Sequence, residues 1–472
     1  GEHAVVASNT SGLSIGALAE SLPAALRPRF CGIHFFNPPR YMHLVELIPT
    51  NATRPEVLDA LESFVTSALG KGVIRARDTP NFIANRIGVA GVLAVIHEAG
   101  VHGLAADVVD DLTGTRLGRA SSGTFRTADV VGLDTMAHVI RTLQEQLPDD
   151  PFRDTFAPPP ALARLLERGA LGHKAGAGFF RKAGKLVQRF DLAADDYVPA
   201  DGRADPEVAA LLKAPATQRL KLLRDSRHPQ ARFAWAVLRD SFHYAAVHLQ
   251  AIADSARDVD LAMRWGFGQR QGPFELWQEA GWQPVAEWVQ ADIDAGLALC
   301  RAPLPDWVFS GPVPQQGIHT PAGSWSAGRQ IHLPRSTLAV YRRQHFPEDV
   351  AGAGATDALH SGTELFRNEA VRVWTLDGDI AIASITTKMH LLSPTVVAGL
   401  GRAVDLAEAG YRGLVIWSPD AMFSAGANLQ DLQPAITAAE SGAAGADSWK
   451  LQETLLRIRY AQVPVVSAMR GI

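Results

Sequence analysis

The stretch RFCGIHFFNPPRYMHLVELIPT, residues 29–50, decides how the N-terminal part of the chain folds. Two apolar runs, 29–36 and 43–50, read as strands, and Pro38 stops the first. His34 stands at the end of the first run, so its imidazole emerges at a sheet edge, where α/β proteins build their sites. Glu46 stands inside the second run, between Val45 and Leu47. An acidic side chain on a buried strand is costly unless it is paired. A histidine on the neighbouring strand satisfies it. The carboxylate then holds one ring nitrogen, orients the imidazole and stabilises the imidazolium. A lone His is more often a satisfied core residue, and a lone strand Glu a solvated one. Together they compose a general-base dyad.

Outward from this stretch, AVVASNT (4–10) and GVIRARD (72–78) also read as strands. Residues 55–69 carry Val57, Leu58, Leu61, Phe64, Val65 and Leu69 at helical spacing. Strands alternating with helices predict an α/β domain. From Asn81 the pattern turns helical: 81–100, 105–112 and 129–146, then a Pro-rich break at 148–160 and a Gly-rich turn closing the block at 169–182. Residues 205–297 are helical again and repeat the first block. GTFRTADVVGLDTMAHVI (123–140) lines up with GPFELWQEAGWQPVAEWV (272–289), and each follows an Asp-bearing helix. A duplicated unit packs against its own copy. The Pro-, Gly-, Ser- and His-rich stretch 302–335 reads as linker. VRVWTLDGDIAIASI (371–385) is a hairpin around Asp377-Gly378, followed by helix 394–409, strand 411–418 and the small-residue turn FSAGANL (423–429).

The chain has 472 residues, room for about three domains. A net charge of -4 gives no reason to expect nucleic acid as partner. Two distant cysteines, Cys31 and Cys300, build neither a disulfide framework nor a zinc site, and a reducing, cytoplasmic compartment follows. The longest apolar stretch, Gly88 to Ile96, is far short of the ~20 residues that insert across a membrane. His173, His243, His248 and His360 have no carboxylate partner at ligand spacing and read as ordinary surface residues, so no metal is expected.

Four motifs in order, SNTS 8–11, HFFNP 34–38, Val45-Glu46 and DTPNFIANR 78–86, closely resemble the 3-hydroxyacyl-CoA dehydrogenase family. The resemblance covers about residues 1–300. It implies His34 as catalytic base for the substrate 3-hydroxyl, Glu46 as its orienting partner, Ser11 and Asn85 on the acyl-CoA substrate, and Asn37 near the nicotinamide of NAD. Arg126 stands in the first copy where the family commonly has Glu, the residue that the second copy keeps as Glu275.

No Gly-x-Gly-x-x-Gly turn precedes these motifs, and only 33 residues precede His34. GAGF at 176–179 lacks the strand context to replace it. The chain also begins and stops inside strand-like runs, so truncation at both ends is expected. The segment FSAGANL after its strand resembles the enoyl-CoA hydratase/isomerase (crotonase) family. That resemblance implies the Ala427 N–H as one oxyanion-hole donor, with Asn428 in place of the usual Asp.

The predicted architecture is therefore α/β plus all-α. It comprises the second half of a Rossmann-type NAD-binding domain (1–78), a first helical dehydrogenase domain (79–182), a second helical repeat (183–300), a linker (301–365) and the first half of a crotonase-like domain (366–472). The expected activity of the parent protein is NAD-dependent oxidation of L-3-hydroxyacyl-CoA in fatty-acid β-oxidation, with enoyl-CoA hydratase or isomerase chemistry and a homodimer through the helical region; this chain alone is expected to be inactive, because the dinucleotide-binding loop is missing. The alternatives are a CoA-binding or scaffold module without turnover, and a protein acting mainly through its crotonase part.

Overall fold

The computed structural model describes residues 4–354, 360–420, 422–431 and 447–469. The chain forms two compact units, Gly1–Ala355 and Thr356–Ile472.

In the first unit, β1 (Val6–Ser8), β2 (Phe30–Phe35), β3 (Leu44–Pro49) and β4 (Gly72–Arg75) lie side by side in chain order. β1 is parallel to β2, β3 antiparallel to β2, and β4 parallel to β3. Helix α1 (Ile15–Glu20) follows β1, and α2 (Pro55–Leu69) joins β3 to β4. The bounds of α2 are those the periodicity predicts. Pro55 opens it where no N–H is needed, and Gly70 closes it at φ +63. Alternation of side chains assigns the two faces of the sheet. Leu44, Ile48 and Ile74 join the large core shared with the helices, whereas Val45, Leu47 and Val73 cluster with Val65 of α2. Glu46 has the parity of Leu44 and Ile48, so it points to the helical side.

Two helical series follow: α3 (Ala84–Val101), α4 (Ala106–Thr113), α5 (Phe125–Val131), α6 (Leu133–Gln146) and α7 (Pro160–Glu167), then α8 (Pro206–Leu212), α9 (Ala216–Asp225), α10 (Pro229–Ile252), α11 (Ala256–Phe267), α12 (Pro273–Ala280) and α13 (Trp282–Asp294). α3 packs on α10. The repeat seen in sequence has an atomic counterpart. The Asp110 carboxylate of α4 accepts from the N–H of Phe125 (2.6 Å) and of Arg126 (3.0 Å). The Asp260 carboxylate of α11 accepts from the N–H of Phe274 (2.9 Å) and of Glu275 (3.1 Å). Each helix start is thus capped by a buried carboxylate from the preceding helix. Residues 129–146, expected as one helix, are two. Gly132 at φ +101 separates α5 from α6, as Gly281 at φ +107 separates α12 from α13. Arg126, the departure from Glu, lays its guanidinium 4.1 Å over the Phe180 ring.

Three further expectations are corrected. Residues 183–199 are not helical: β5 (Phe180–Ala183), β6 (Leu186–Asp191) and β7 (Asp196–Pro199) form an antiparallel sheet. The stretch read as linker carries β8 (His319–Thr320), β9 (Gly323–Ser326) and β10 (Ile331–Leu333), with Trp307, Val313, Ile318 and Trp325 in the main core. It is fastened to α12 by Gln278, whose Oε1 accepts from Ile318 and His319 N–H and whose Nε2 donates to the carbonyls of His319 and Ala351. His243 and His248 are buried, because α10 is covered by neighbouring helices on almost every side. His243 Nε2 donates to the Ala302 carbonyl at 2.7 Å, and His248 Nε2 lies 3.2 Å from the Asp150 carboxylate.

The second unit holds one five-stranded sheet, β11 (Thr363–Arg367), β12 (Val371–Thr375), β13 (Ile380–Ile385), β14 (Gly413–Ile416) and β15 (Val465–Ser467) in that order. β12 and β13 are the expected hairpin; β13, β14 and β15 are parallel. Helix Pro394–Gly410 packs on β12, β13 and β14 and closes a separate core. Gly471 and Ile472, read as the approach to a further Gly turn, lie outside the described residues. Among the described residues, no helix is long and apolar enough to cross a membrane.

Candidate active site

β1 and β2 end on the same side of the sheet, so the loops that follow Ser8 and Phe35 leave together. Asn9 ties them: its Oδ1 accepts from the Phe35 N–H at 3.0 Å. In the antiparallel register of β2 and β3, His34 lies directly opposite Glu46. Both side chains face the helices, and they meet: His34 Nδ1 is 2.7 Å from Glu46 Oε2. His34 is 4% exposed and Glu46 0%.

A carboxylate so buried needs more than one donor. Glu46 Oε1 accepts from the backbone N–H groups of Ile83 (3.1 Å) and Ala84 (2.9 Å), at the start of α3. The first turn of an α-helix has free N–H groups, and Glu46 satisfies two of them. With both Glu46 oxygens accepting, His34 Nδ1 carries the proton and donates. His34 Nε2 then has a lone pair and no partner among the described residues. The ring is held by Phe36 and Phe82, with centroids at 4.4 and 5.6 Å.

The remaining expected residues lie in the segments that follow β1 and β2 and at the start of α3. Asn85, in the first turn of α3, donates from Nδ2 to the Ser11 carbonyl at 3.4 Å, which joins DTPNFIANR to SNTS. The contact uses the main chain of Ser11, and the Ser11 side chain is exposed. Asn37 is exposed just past β2, before a cis peptide to Pro38. Sequence reasoning did not single out Asp78. Its carboxylate accepts from Ser14 Oγ (2.9 Å) and from the N–H of Ile15 (2.8 Å) and Gly16 (2.7 Å), fixing the chain that leaves SNTS. It did not single out Arg86 either. That buried guanidinium donates to Asp150 (2.9 Å) and to Tyr244 Oη (3.2 Å), locking α3 onto α10.

Residues 1–79 match the family model of the 3-hydroxyacyl-CoA dehydrogenase NAD binding domain, and residues 82–182 match that of the 3-hydroxyacyl-CoA dehydrogenase C-terminal domain. The chain carries 3-hydroxyacyl-CoA dehydrogenase domains. The dyad and Ser11 fall in the first, Asn85 in the second. A protein of Bacillus subtilis described as a probable 3-hydroxyacyl-CoA dehydrogenase is 32% identical over 99% of this chain and 57% of its own length. A Rickettsia felis protein, named for the trifunctional enzyme of a fatty acid oxidation complex, is 29% identical over 100% of this chain and 60% of its own. The chain thus spans less than two thirds of these relatives. Among solved structures, 3-hydroxybutyryl-CoA dehydrogenase of Escherichia coli is similar at 22% identity and TM-score 0.47, covering 63% of this chain and 72% of its own. An enoyl-CoA hydratase/carnithine racemase of Magnetospirillum magneticum is similar at 18% identity and TM-score 0.21, over 23% of this chain and 40% of its own.

In the second unit, Ala427 forms an isolated parallel bridge with Leu392. The Leu392 N–H donates to the Gly426 carbonyl (2.8 Å) and the Asn428 N–H to the Leu392 carbonyl (2.9 Å), while the Ala427 N–H has no acceptor among the described residues. Asn428 donates from Nδ2 to Asp431 at 2.8 Å. His390, which the sequence did not single out, is buried beside this turn. Its Nδ1 donates to the Met422 carbonyl at 2.8 Å and its Nε2 lies 2.9 Å from the Asp420 carboxylate.

Proposed function

We propose that this protein oxidises L-3-hydroxyacyl-CoA to 3-ketoacyl-CoA with NAD, as a step of fatty-acid β-oxidation. The observation that carries the reading is the pairing of His34 with a buried Glu46, with Nε2 left free. Oxidising an alcohol requires a proton acceptor beside the reacting carbon. His34 Nε2 takes the hydroxyl proton. Glu46 fixes the tautomer through Nδ1 and balances the imidazolium that forms, while the Ile83 and Ala84 N–H groups hold Glu46 in place. Asn85 and Ser11 place the substrate oxygen within reach of Nε2, and Asn37 lies toward the nicotinamide.

NAD, when bound, supplies the hydride acceptor. The residues present fit its nicotinamide end, since the free imidazole nitrogen stands at the edge where β1 and β2 end together. The described residues include no Gly-rich strand-to-helix turn for its pyrophosphate.

The same reading gives the second unit a crotonase-type role, with the free Ala427 N–H as one donor to a thioester oxyanion. It places the protein in the cytoplasm as a homodimer through the helical region, where Val130 and Val131 of α5 are exposed. Steady-state NADH formation with the L and D isomers of 3-hydroxybutyryl-CoA, by the chain joined to an N-terminal Gly-rich βαβ unit, tests the activity. Turnover of the L isomer alone is expected. Folded protein that neither turns over nor binds the L isomer contradicts it and favours a scaffold role.

A further inference from the structure

Asn81 and Phe82 are consecutive non-glycine residues in left-handed backbone, at φ +61 and +52. Asparagine tolerates that region; a bulky residue does so only where its surroundings hold it. Phe82 is held by full burial and by its ring contact with His34. Asn81 is 2% exposed, and its backbone carbonyl accepts from the Arg86 N–H at 3.3 Å. Its side-chain carboxamide lies against Gly12, so close that a Cβ there would fall 2.7 Å from Oδ1. Its Nδ2 is buried and has no acceptor among the described residues.

A buried amide donor without an acceptor is rare in native proteins, and each instance asks for an explanation. This one lies between the dyad and the segment that carries Ser11. What covers it on the Gly12 side is the turn Ser11–Leu13, whose Ser11 and Leu13 are exposed. Two long hydrogen bonds fasten that turn: Asn85 Nδ2 to the Ser11 carbonyl at 3.4 Å, and the Leu13 N–H to Thr10 Oγ1 at 3.2 Å.

We propose that Asn81 is a further substrate-binding residue, whose Nδ2 donates to a carbonyl oxygen of the acyl thioester as the ligand displaces the Ser11–Leu13 turn. The inference rests on the acyl-CoA reading of the site. A thioester offers such an oxygen at carbon 1, and the 3-keto product offers a second at carbon 3. Both are acceptors only, the complement of an amide N–H.

The test is calorimetric titration of the whole chain and its Asn81→Gly and Asn81→Asp variants with acetoacetyl-CoA, butyryl-CoA and free CoA. Glycine removes the carboxamide without strain at φ +61. Aspartate keeps the shape and replaces the donor with an acceptor. Both variants are expected to bind acetoacetyl-CoA about tenfold more weakly than the parent, the loss of one hydrogen bond to a buried donor, with CoA binding unchanged. A parallel loss for butyryl-CoA assigns the contact to the thioester oxygen; a loss for acetoacetyl-CoA alone assigns it to carbon 3. If Asn81→Gly binds every ligand as the parent does, the Asn81 inference falls while the site reading stands. If the folded parent binds acetoacetyl-CoA no better than CoA, both fall.

Discussion

Replacing Glu46 with Gln changes one atom and, on this account, inverts the dyad. The Ile83 and Ala84 N–H groups still find an oxygen, so the side chain keeps its place. The atom that faces His34 Nδ1 at 2.7 Å becomes an amide NH2. Two donors cannot share that distance. The imidazole therefore moves its proton to Nε2 and accepts at Nδ1, which removes the lone pair from the nitrogen that serves as base. A positioned general base contributes about 10²–10⁴-fold, so kcat is expected to fall by about that factor with KM little changed. Stability changes by less than a full unpaired charge would cost, because the amide remains hydrogen-bonded on both sides. Two assays read the effect. NADH formation reports the rate, and the ¹⁵N shifts of the His34 ring report the tautomer whether or not the chain turns over. A Glu46→Gln protein within twofold of the parent rate, with the proton still on Nδ1, refutes the reasoning.

Other consequences concern the frame around the site. Asp150→Ala leaves the Arg86 guanidinium, buried against Tyr244 and His248, without its carboxylate, and about 3–5 kcal/mol of stability is expected to go in chemical denaturation. Gly272→Ala puts a Cβ 2.2 Å from Asp260 Oδ1 and 2.3 Å from its Cα, so α12 must shift off its cap and the melting temperature is expected to drop by several degrees. Glu98 has its pKa pushed up to about 8, by burial first and by Asp240 next. Its folded value lies above its unfolded one, so folding favours the protonated acid. That stability is full below the unfolded value and is lost as pH rises through about 8. Thermal melts from about pH 4 to pH 9 are expected to show this decline, ending near pH 8, and Glu98→Gln to flatten it; a decline unchanged in the variant assigns it elsewhere.

Which parts of this were legible in the sequence follows from the range of the interactions. His34 and Glu46 were legible because period-two alternation and the antiparallel register are local properties, and an acidic residue between Val45 and Leu47 demands a partner. α2 and the hairpin of β12 and β13 were legible for the same reason. The repeat was legible because Gly123-x-Phe125 and Gly272-x-Phe274 answer to capping by Asp110 and Asp260, a geometry that leaves no room for a Cβ at either glycine.

Residues 302–335 were not legible. Their Pro and Gly content is that of a linker. Their burial comes from long-range packing of Trp307 and Trp325 beside the stacked Trp277 and Trp282, and from Gln278, none of which has a period. The buried state of His243 and His248 depends on how many neighbours surround α10, a tertiary fact that spacing along one helix does not encode. The two N–H groups that hold Glu46 are backbone atoms, so no residue type announces them.

The central claim is that His34 Nε2 accepts the substrate proton. The measurement that tests it most directly is NADH formation from L-3-hydroxybutyryl-CoA by the chain joined to an N-terminal Gly-rich βαβ unit and by its His34→Gln version, with acetoacetyl-CoA binding measured on both. The account predicts turnover by the parent, a loss of about a hundredfold or more in the variant, and binding that survives within a few-fold. Equal rates in the two proteins would contradict it.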